Sequence, residues 1–236
     1  MAESPALTLH SYWRSSAAYR VRIALALKGL PYRQVTWHMV KGEHQQPAYR
    51  SIAPFGLVPM LEIDGLRLQQ SLAIIEYLDE RHPGTPLLPA DPALRAQARA
   101  LAQLIACEMH PLNNLRALKR LRAQFGADDE RIHDWYRHWC AEGFQAFEAA
   151  LPSAPSGAYA LGAAPTLVEC TLIPQVYNAL RYGADLEPYA RVRAIVQACA
   201  ALPAFEQARP ENQPDAPQSA AAQAAPFQSD SPPTRS

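Results

Sequence analysis

Residues Leu7 to Tyr32 read LTLHSYWRSSAAYRVRIALALKGLPY. Leu7 and Leu9 alternate with Thr8 and His10 at the period of a half-buried strand, after which Tyr12, Trp13 and Arg14 lead into Ser15 and Ser16. A helix is predicted next: Ala17, Ala18, Arg20, Arg22 and Ala24 to Leu27 are good helix formers, either serine can cap the first turn, and Lys28-Gly29 is a stop. A strand therefore delivers a polar loop onto a helix N-terminus, where unpaired N–H groups and the helix dipole favour an anion such as phosphate, carboxylate or thiolate. No glycine lies between His10 and Lys28, which excludes both the dinucleotide fingerprint and the Walker loop. Two hydroxyls beside an arginine, with no cysteine in the loop, point to an anion of modest size brought in from outside.

The rest of the chain sets the context of that loop. Formal net charge is zero over 236 residues, and no basic run is present, so neither nucleic acid nor an anionic membrane is expected as a partner. Lys28, Lys41 and Lys119 are the only lysines; arginine carries the remaining positive charge, and its planar fork suits carboxylates. Cys107, Cys140, Cys170 and Cys199 are widely spaced without metal-ligand or redox pairing and are expected to be buried thiols in a reducing cytosol. MAESPALT lacks a signal-peptide pattern, and no apolar run approaches the roughly 18 residues of a membrane span, so a soluble cytoplasmic protein is expected.

Outward from the first helix, Tyr32, Val35 and Trp37 indicate a second strand, Met39 to Gln46 a loop, and Pro47 to Ile52 a short helix. Asp64-Gly65 between apolar alternations signals a hairpin, with a third strand from Pro59 and a fourth through Leu66 and Leu68. Ser71 to Arg81 places Ile74, Ile75 and Leu78 on one helical face and ends at His82-Pro83. Residues 1–83 thus form an α/β unit and 84–92 a linker; 93–208 read as an all-helical domain with segments at Ala93 to Gln124, Asp129 to Leu151, Thr166 to Arg181 and Glu187 to Leu202. Thr166 and Glu169 fit a capping box. Pro111 is expected to bend the longest helix, leaving His110, Asn113, Asn114 and Arg116 near the irregularity. Residues 209–236, rich in proline, alanine, glutamine and serine, are expected to be a disordered tail.

An α/β unit with Val58-Pro59 before its third strand and Gln70-Ser71 before its last helix, followed by a helical bundle, resembles a cytosolic glutathione transferase. Within that superfamily Arg14-Ser15-Ser16, Tyr19 to Leu25, Gln70 to Leu78, His110 to Leu115 and Val176 to Pro188 resemble the zeta class, the maleylacetoacetate isomerases, with maleylpyruvate isomerases close by. The resemblance implies a thioredoxin-like N-terminal domain, an all-α C-terminal bundle, and a homodimer. It also implies glutathione as cofactor. Val58, across a cis bond to Pro59, would offer its backbone to the cysteinyl part; Gln70 and Ser71, the latter at a helix N-cap, would hold the γ-glutamyl carboxylate; His44 would reach the glycyl end; Ser15 and Ser16 would face the sulfur. The family's usual Ser-Ser-Cys ends here in Ala17, so glutathione is expected to supply the sulfur.

The implied reaction is isomerisation of a maleyl dicarboxylate, maleylacetoacetate to fumarylacetoacetate in tyrosine and phenylalanine catabolism, or alternatively maleylpyruvate in the gentisate pathway. Arg14 is the first candidate for gripping carboxylates, with Arg181 and Arg116 as partners, while His110 and Asn114 are candidates to hydrogen-bond the substrate or the thiolate loop, or else to cap the carbonyls freed by Pro111. A general transferase or haloacid dehalogenase, and a binding protein without chemistry, are the competing readings.

Overall fold

The computed structural model describes residues 7–153 and 157–218. Strands β1 (Thr8–Ser11), β2 (Arg33–Thr36), β3 (Met60–Ile63) and β4 (Leu66–Gln69) form a mixed sheet in the order β2-β1-β3-β4. β1 runs parallel to β2 and antiparallel to β3, pairing Leu9 with Gln34 on one side and Leu61 on the other. That central position explains a departure from the half-buried pattern. Every residue of β1 is buried, Leu9 toward the main core and His10 toward Trp37 and Tyr49 on the opposite face. The β3–β4 hairpin turns at Asp64 (φ 50°) and Gly65 (φ 75°), the paired positive angles that match the twist of a two-residue loop.

Helix α1 (Ser16–Leu27) packs between α3 (Ser71–Arg81) on the sheet and α7 (Leu167–Arg181) and α9 (Pro203–Ala208) of the bundle. It is buried on almost every side, so its two arginines at Arg20 and Arg22 are interior groups. The main core runs without a break from Leu9, Ile23 and Ile75 into Leu101, Phe144 and Leu172, and the two units share one interior. A smaller cluster of Tyr12, Tyr49, Ala53, Val58 and Met60 lies under α2 (Pro47–Arg50) on the other face of the sheet.

The bundle comprises α4 (Pro92–Gln103), α5 (Leu115–Phe125), α6 (Asp129–Ala150), α7, α8 (Ala190–Ala200) and α9. The single bent helix expected over Ala93 to Gln124 is instead two helices. A π-helical stretch at Leu104–Met109 and a turn through Pro111 separate them, with His110 N–H donating to Ile105 O at 2.9 Å. A widened turn gives the chain one extra residue per revolution, which 3.6-residue spacing does not reveal, and it often marks functional sites. The last predicted segment, Glu187 to Leu202, holds only α8, and α9 is a further short helix beyond it that begins at Pro203.

The expected tail also needs correction. Residues 210–218 follow α9 in defined contacts; 219–236 lie outside the described residues. Gln213 is buried and donates to Gln207 O and Arg209 O, Tyr177 Oη–H donates to Glu211, and Asp215 accepts the Trp13 N–H at 2.9 Å. Polar anchors, invisible to a search for apolar residues, hold this segment.

The Thr166/Glu169 capping box is formed. Glu169 is fully buried, burial pushes its carboxyl up from the ordinary range, and it accepts from Thr166 N at 2.7 Å, Thr166 Oγ1 at 3.0 Å and Ala160 N at 2.7 Å. Glu169→Ala is expected to reduce stability by about 2 kcal/mol, through a lost cap and two stranded N–H groups, that of Ala160 buried and that of Thr166 half-buried. Urea unfolding at constant slope measures this, and an unchanged midpoint would show that α7 starts as well without the carboxylate.

Candidate functional site

A cavity of about 490 Å³ opens where the first unit meets the bundle. One wall is the start of α1. Ser15 is its extended N-cap (φ −72°, ψ 118°), and its hydroxyl accepts the Ala18 N–H at 3.2 Å. The Ser16 and Ala17 N–H groups at the end of the helix have no backbone partner among the described residues. Ser16 is buried, and its Oγ accepts a hydrogen bond from Asn178 Nδ2; the Asn178 Oδ1 in turn accepts from Arg181 Nη1 at 2.9 Å. Each serine oxygen therefore accepts from the protein, which leaves its own proton to donate elsewhere. Asn178 was not among the predicted residues. It lies three positions before Arg181 and hence on the same face of α7, the one signal that could have pointed to it.

The second wall comes from the sheet. Val58-Pro59 is cis, and the Val58 N–H and C=O make no hydrogen bond with the described residues, so that short stretch of backbone can pair with an extended ligand. Gln70, not Ser71, is the N-cap of α3, and it takes φ 72° and ψ 115° without a side-chain cap bond. A non-glycine residue at positive φ costs about 1–3 kcal/mol and is found where a site over-determines the backbone. Ser71 begins the helix proper and accepts from Arg20 Nη1 at 3.2 Å.

The third wall is the π-helical stretch, the turn after it and the start of α5, presenting Cys107, His110, Asn114 and Arg116. Asn114 caps α5 by accepting the Arg116 N–H through Oδ1 at 3.1 Å. That bond fixes the amide, so Nδ2 faces His110 Nε2 at 3.2 Å and the ring nitrogen is the acceptor. His110 is consequently the neutral Nδ1–H tautomer. Burial, reinforced by the charges of Arg20 and Arg116, pulls its pKa down to about 3. The sign follows: an unfolded histidine takes up a proton below about 6.5 and the folded one refuses it, so stability falls as pH drops through that window. His110 alone is expected to contribute about 1.4 kcal/mol per pH unit between the two values. Thermal unfolding of wild type and His110→Gln at descending pH measures it. Parallel curves would remove His110 from the acid lability.

Arg14, Ser15, Ser16, Val58, Pro59, Gln70, Ser71, His110, Asn114, Arg116 and Arg181 all line this cavity. His44 does not. It sits in the 3₁₀ turn Glu43–Gln45, buried with Nδ1 unpaired, and burial together with Lys119 and Arg50 lowers its pKa. Conversely, Arg20 and Tyr182 line the cavity without having been predicted.

Among the described residues the lining contains Arg14, Arg20, Arg116 and Arg181 and no aspartate or glutamate. None of these four is in an ion pair among the described residues, whereas Arg99 and Arg81 pair with Glu76 and Asp64. Such a cavity suits a ligand with several carboxylates. Among the described residues no cluster of metal-ligating side chains occurs, and no helix is long and apolar enough to cross a membrane. Cys140, Cys170 and Cys199 are buried thiols as expected, pushed up by burial, Cys140 to about 12; Cys107, expected to be buried, is exposed.

Residues 5–80 match the family described as glutathione S-transferase, N-terminal domain. The chain is 45% identical over 214 residues to a maleylacetoacetate isomerase of Pseudomonas aeruginosa, covering 89% of this chain and 99% of that protein. It superposes on a solved maleylpyruvate isomerase, described as a bacterial zeta-class glutathione transferase, with a TM-score of 0.87 at 45% identity, over 89% of this chain and 100% of the other. A solved maleylacetoacetate isomerase from Anaeromyxobacter dehalogenans, with glutathione bound in its active site, superposes with a TM-score of 0.81 at 44% identity, over 91% and 99% of the two chains.

Proposed function

The chain belongs to the zeta-class glutathione transferases that include the maleylacetoacetate and maleylpyruvate isomerases, and from that premise we propose that it is a glutathione-dependent cis–trans isomerase of a maleyl diacid. Maleylacetoacetate is the first candidate substrate and maleylpyruvate the second. The observation that carries this reading is a cavity with a hydroxyl-rich helix N-terminus on one wall and, among the described residues, arginines without ion-pair partners around it and no acidic residue in its lining.

The residues present fit glutathione. Val58 offers a free N–H and C=O beside a cis proline, Gln70 and Ser71 stand at the N-terminus of α3, and the start of α1 suits a negative sulfur. Glutathione, when bound, supplies a sulfur that adds to the conjugated double bond and leaves again once the carbon–carbon bond has turned. Ser15 is the principal donor to that sulfur: it is less buried than Ser16 and stands at the helix end, beside the free Ser16 and Ala17 N–H groups. Ser16 is held by Asn178 and supports the same end. With sulfur supplied from outside, Ala17 is no obstacle.

Arg14, Arg116 and Arg181 grip the substrate carboxylates and stabilise the charge that develops on the conjugated carbonyl. Neutral His110 and Asn114 form the polar part of the bundle wall, adding hydrogen-bonding groups without a counter-charge. The protein works, on this proposal, in aromatic catabolism in the cytoplasm and as a homodimer; free cysteines and the exposed apolar Phe55 and Leu66 are consistent with those settings, and sedimentation tests the dimer.

The deciding experiment is the conversion rate of maleylacetoacetate and of maleylpyruvate, each with and without glutathione. A glutathione-dependent rate supports the isomerase, and the ratio of the two rates selects the substrate. Absence of both rates, or accumulation of a stable sulfur adduct, would overturn the isomerase in favour of a transferase.

A further inference from the structure

Two arginines of α1 are buried, and their surroundings differ. Arg22 spends its guanidinium on Ala208 O at 3.0 Å, Ser11 Oγ at 3.3 Å and Trp13 O at 2.9 Å. Arg20, 3% exposed, makes one hydrogen bond, from Nη1 to Ser71 Oγ at 3.2 Å; its Nε and Nη2 are buried without a partner among the described residues. Burial pulls its pKa down to about 10, so the charge is still present at neutral pH, and no carboxylate pairs with it among the described residues. A buried, unpaired guanidinium is among the most unfavourable arrangements a fold can hold unless a ligand completes it.

Its position shows what the ligand must provide. Arg20 lines the cavity directly behind Ser71, at the first turn of the 11-residue helix α3. Because the serine oxygen already accepts from Arg20, the serine proton must point elsewhere, and among the described residues it meets no acceptor. The arginine also polarises that O–H, strengthening any hydrogen bond it donates. We infer that Arg20 is a positioning residue that acts through Ser71, turning the serine hydroxyl outward as a donor and supplying the buried positive charge against which a ligand carboxylate docks. This rests on the glutathione reading, in which the carboxylate is the α-carboxylate of the γ-glutamyl residue.

The test compares two peptides by calorimetric titration: glutathione, and 4-aminobutyryl-cysteinylglycine, which is glutathione without that carboxylate. Arg20→Met is expected to raise the Kd for glutathione on the order of tenfold, the share of one charge-assisted hydrogen bond, and to leave the Kd of the decarboxylated peptide within about twofold of wild type. Arg20→Lys, which keeps the charge, is expected to recover most of the loss. Equal weakening of both peptides would reduce Arg20 to a structural role, and unchanged glutathione binding would remove it from the site; either overturns the inference. Should Arg20→Met fail to fold, Ser71→Ala breaks the same relay from the other side and carries the same expectations. A wild-type chain that binds neither peptide overturns the glutathione reading itself, and is told apart from the other failures because it appears before any substitution is made.

Discussion

Ser15→Ala is expected to lower glutathione-dependent isomerisation by about a hundredfold near neutral pH, the usual consequence of removing one donor aimed at a developing or resident anion. A free thiol near pKa 8.5 is only a few per cent ionised at about pH 7, so the hydroxyl, the helix N-terminus and the free Ser16 and Ala17 N–H groups must together favour the thiolate. Loss of the hydroxyl raises the thiol pKa, and activity should then return as pH is raised past the new value. The pH profile of kcat/KM is therefore the discriminating measurement.

The same substitution removes the cap on the Ala18 N–H, at about 1 kcal/mol of stability, and this must be separated from chemistry. Ser15→Asn keeps a capping oxygen but has no hydroxyl, whereas Ser15→Thr keeps both. Asparagine, which keeps a capping oxygen and offers only a displaced amide donor, is expected to match wild type in stability and fall below it in rate; threonine is expected to retain the most activity. If the alanine variant kept the wild-type pH profile, the serine would be a cap and nothing more.

Parts of this site were legible in the sequence because their chemistry is local. Asp64-Gly65 demanded a hairpin, Thr166 with Glu169 a capped helix, and the run from Leu7 to Ser16 a strand delivering hydroxyls to a helix end; all three are formed. The failures share a different physics. Arg20 and Arg22 read alike as good helix formers, and nothing in their neighbourhood says that α7 and α9 will close over them. The π-helical stretch at Leu104–Met109 changes the period itself, so the spacing used to trace the helix hid the break that turns Cys107 and His110 toward the cavity. Residues 210–218 are held by amides and carboxylates that a composition argument counts as solvent-loving.

Arg22→Met is expected to reduce stability by about 3–5 kcal/mol, the largest structural effect of any single substitution considered. Methionine matches the length of the stem, but the carbonyls of Trp13 and Ala208 and the Ser11 hydroxyl would lose their donors in a dry interior, each at about 1–3 kcal/mol. The guanidinium also lies 5.2 Å from the centre of the Tyr19 ring, a further contact the thioether replaces only in part. These groups join β1, the Tyr12–Ser15 loop and the end of α9, and Asp215 grips the same loop from the other side through the Trp13 N–H. Turnover should therefore fall together with the unfolding midpoint. Arg20→Met gives the opposite pattern: it removes a charge that the fold leaves largely unpaired, so stability should hold or rise while glutathione affinity falls. The two positions are two residues apart and face different sides of α1, which lets one helix carry both a structural and a ligand-directed guanidinium. Chemical denaturation of both variants, with and without glutathione, decides the matter. Equal destabilisation of the two would mean that Arg20 is also a strut, and a stable Arg22→Met would mean that the loop before α1 is held by Asp215 alone.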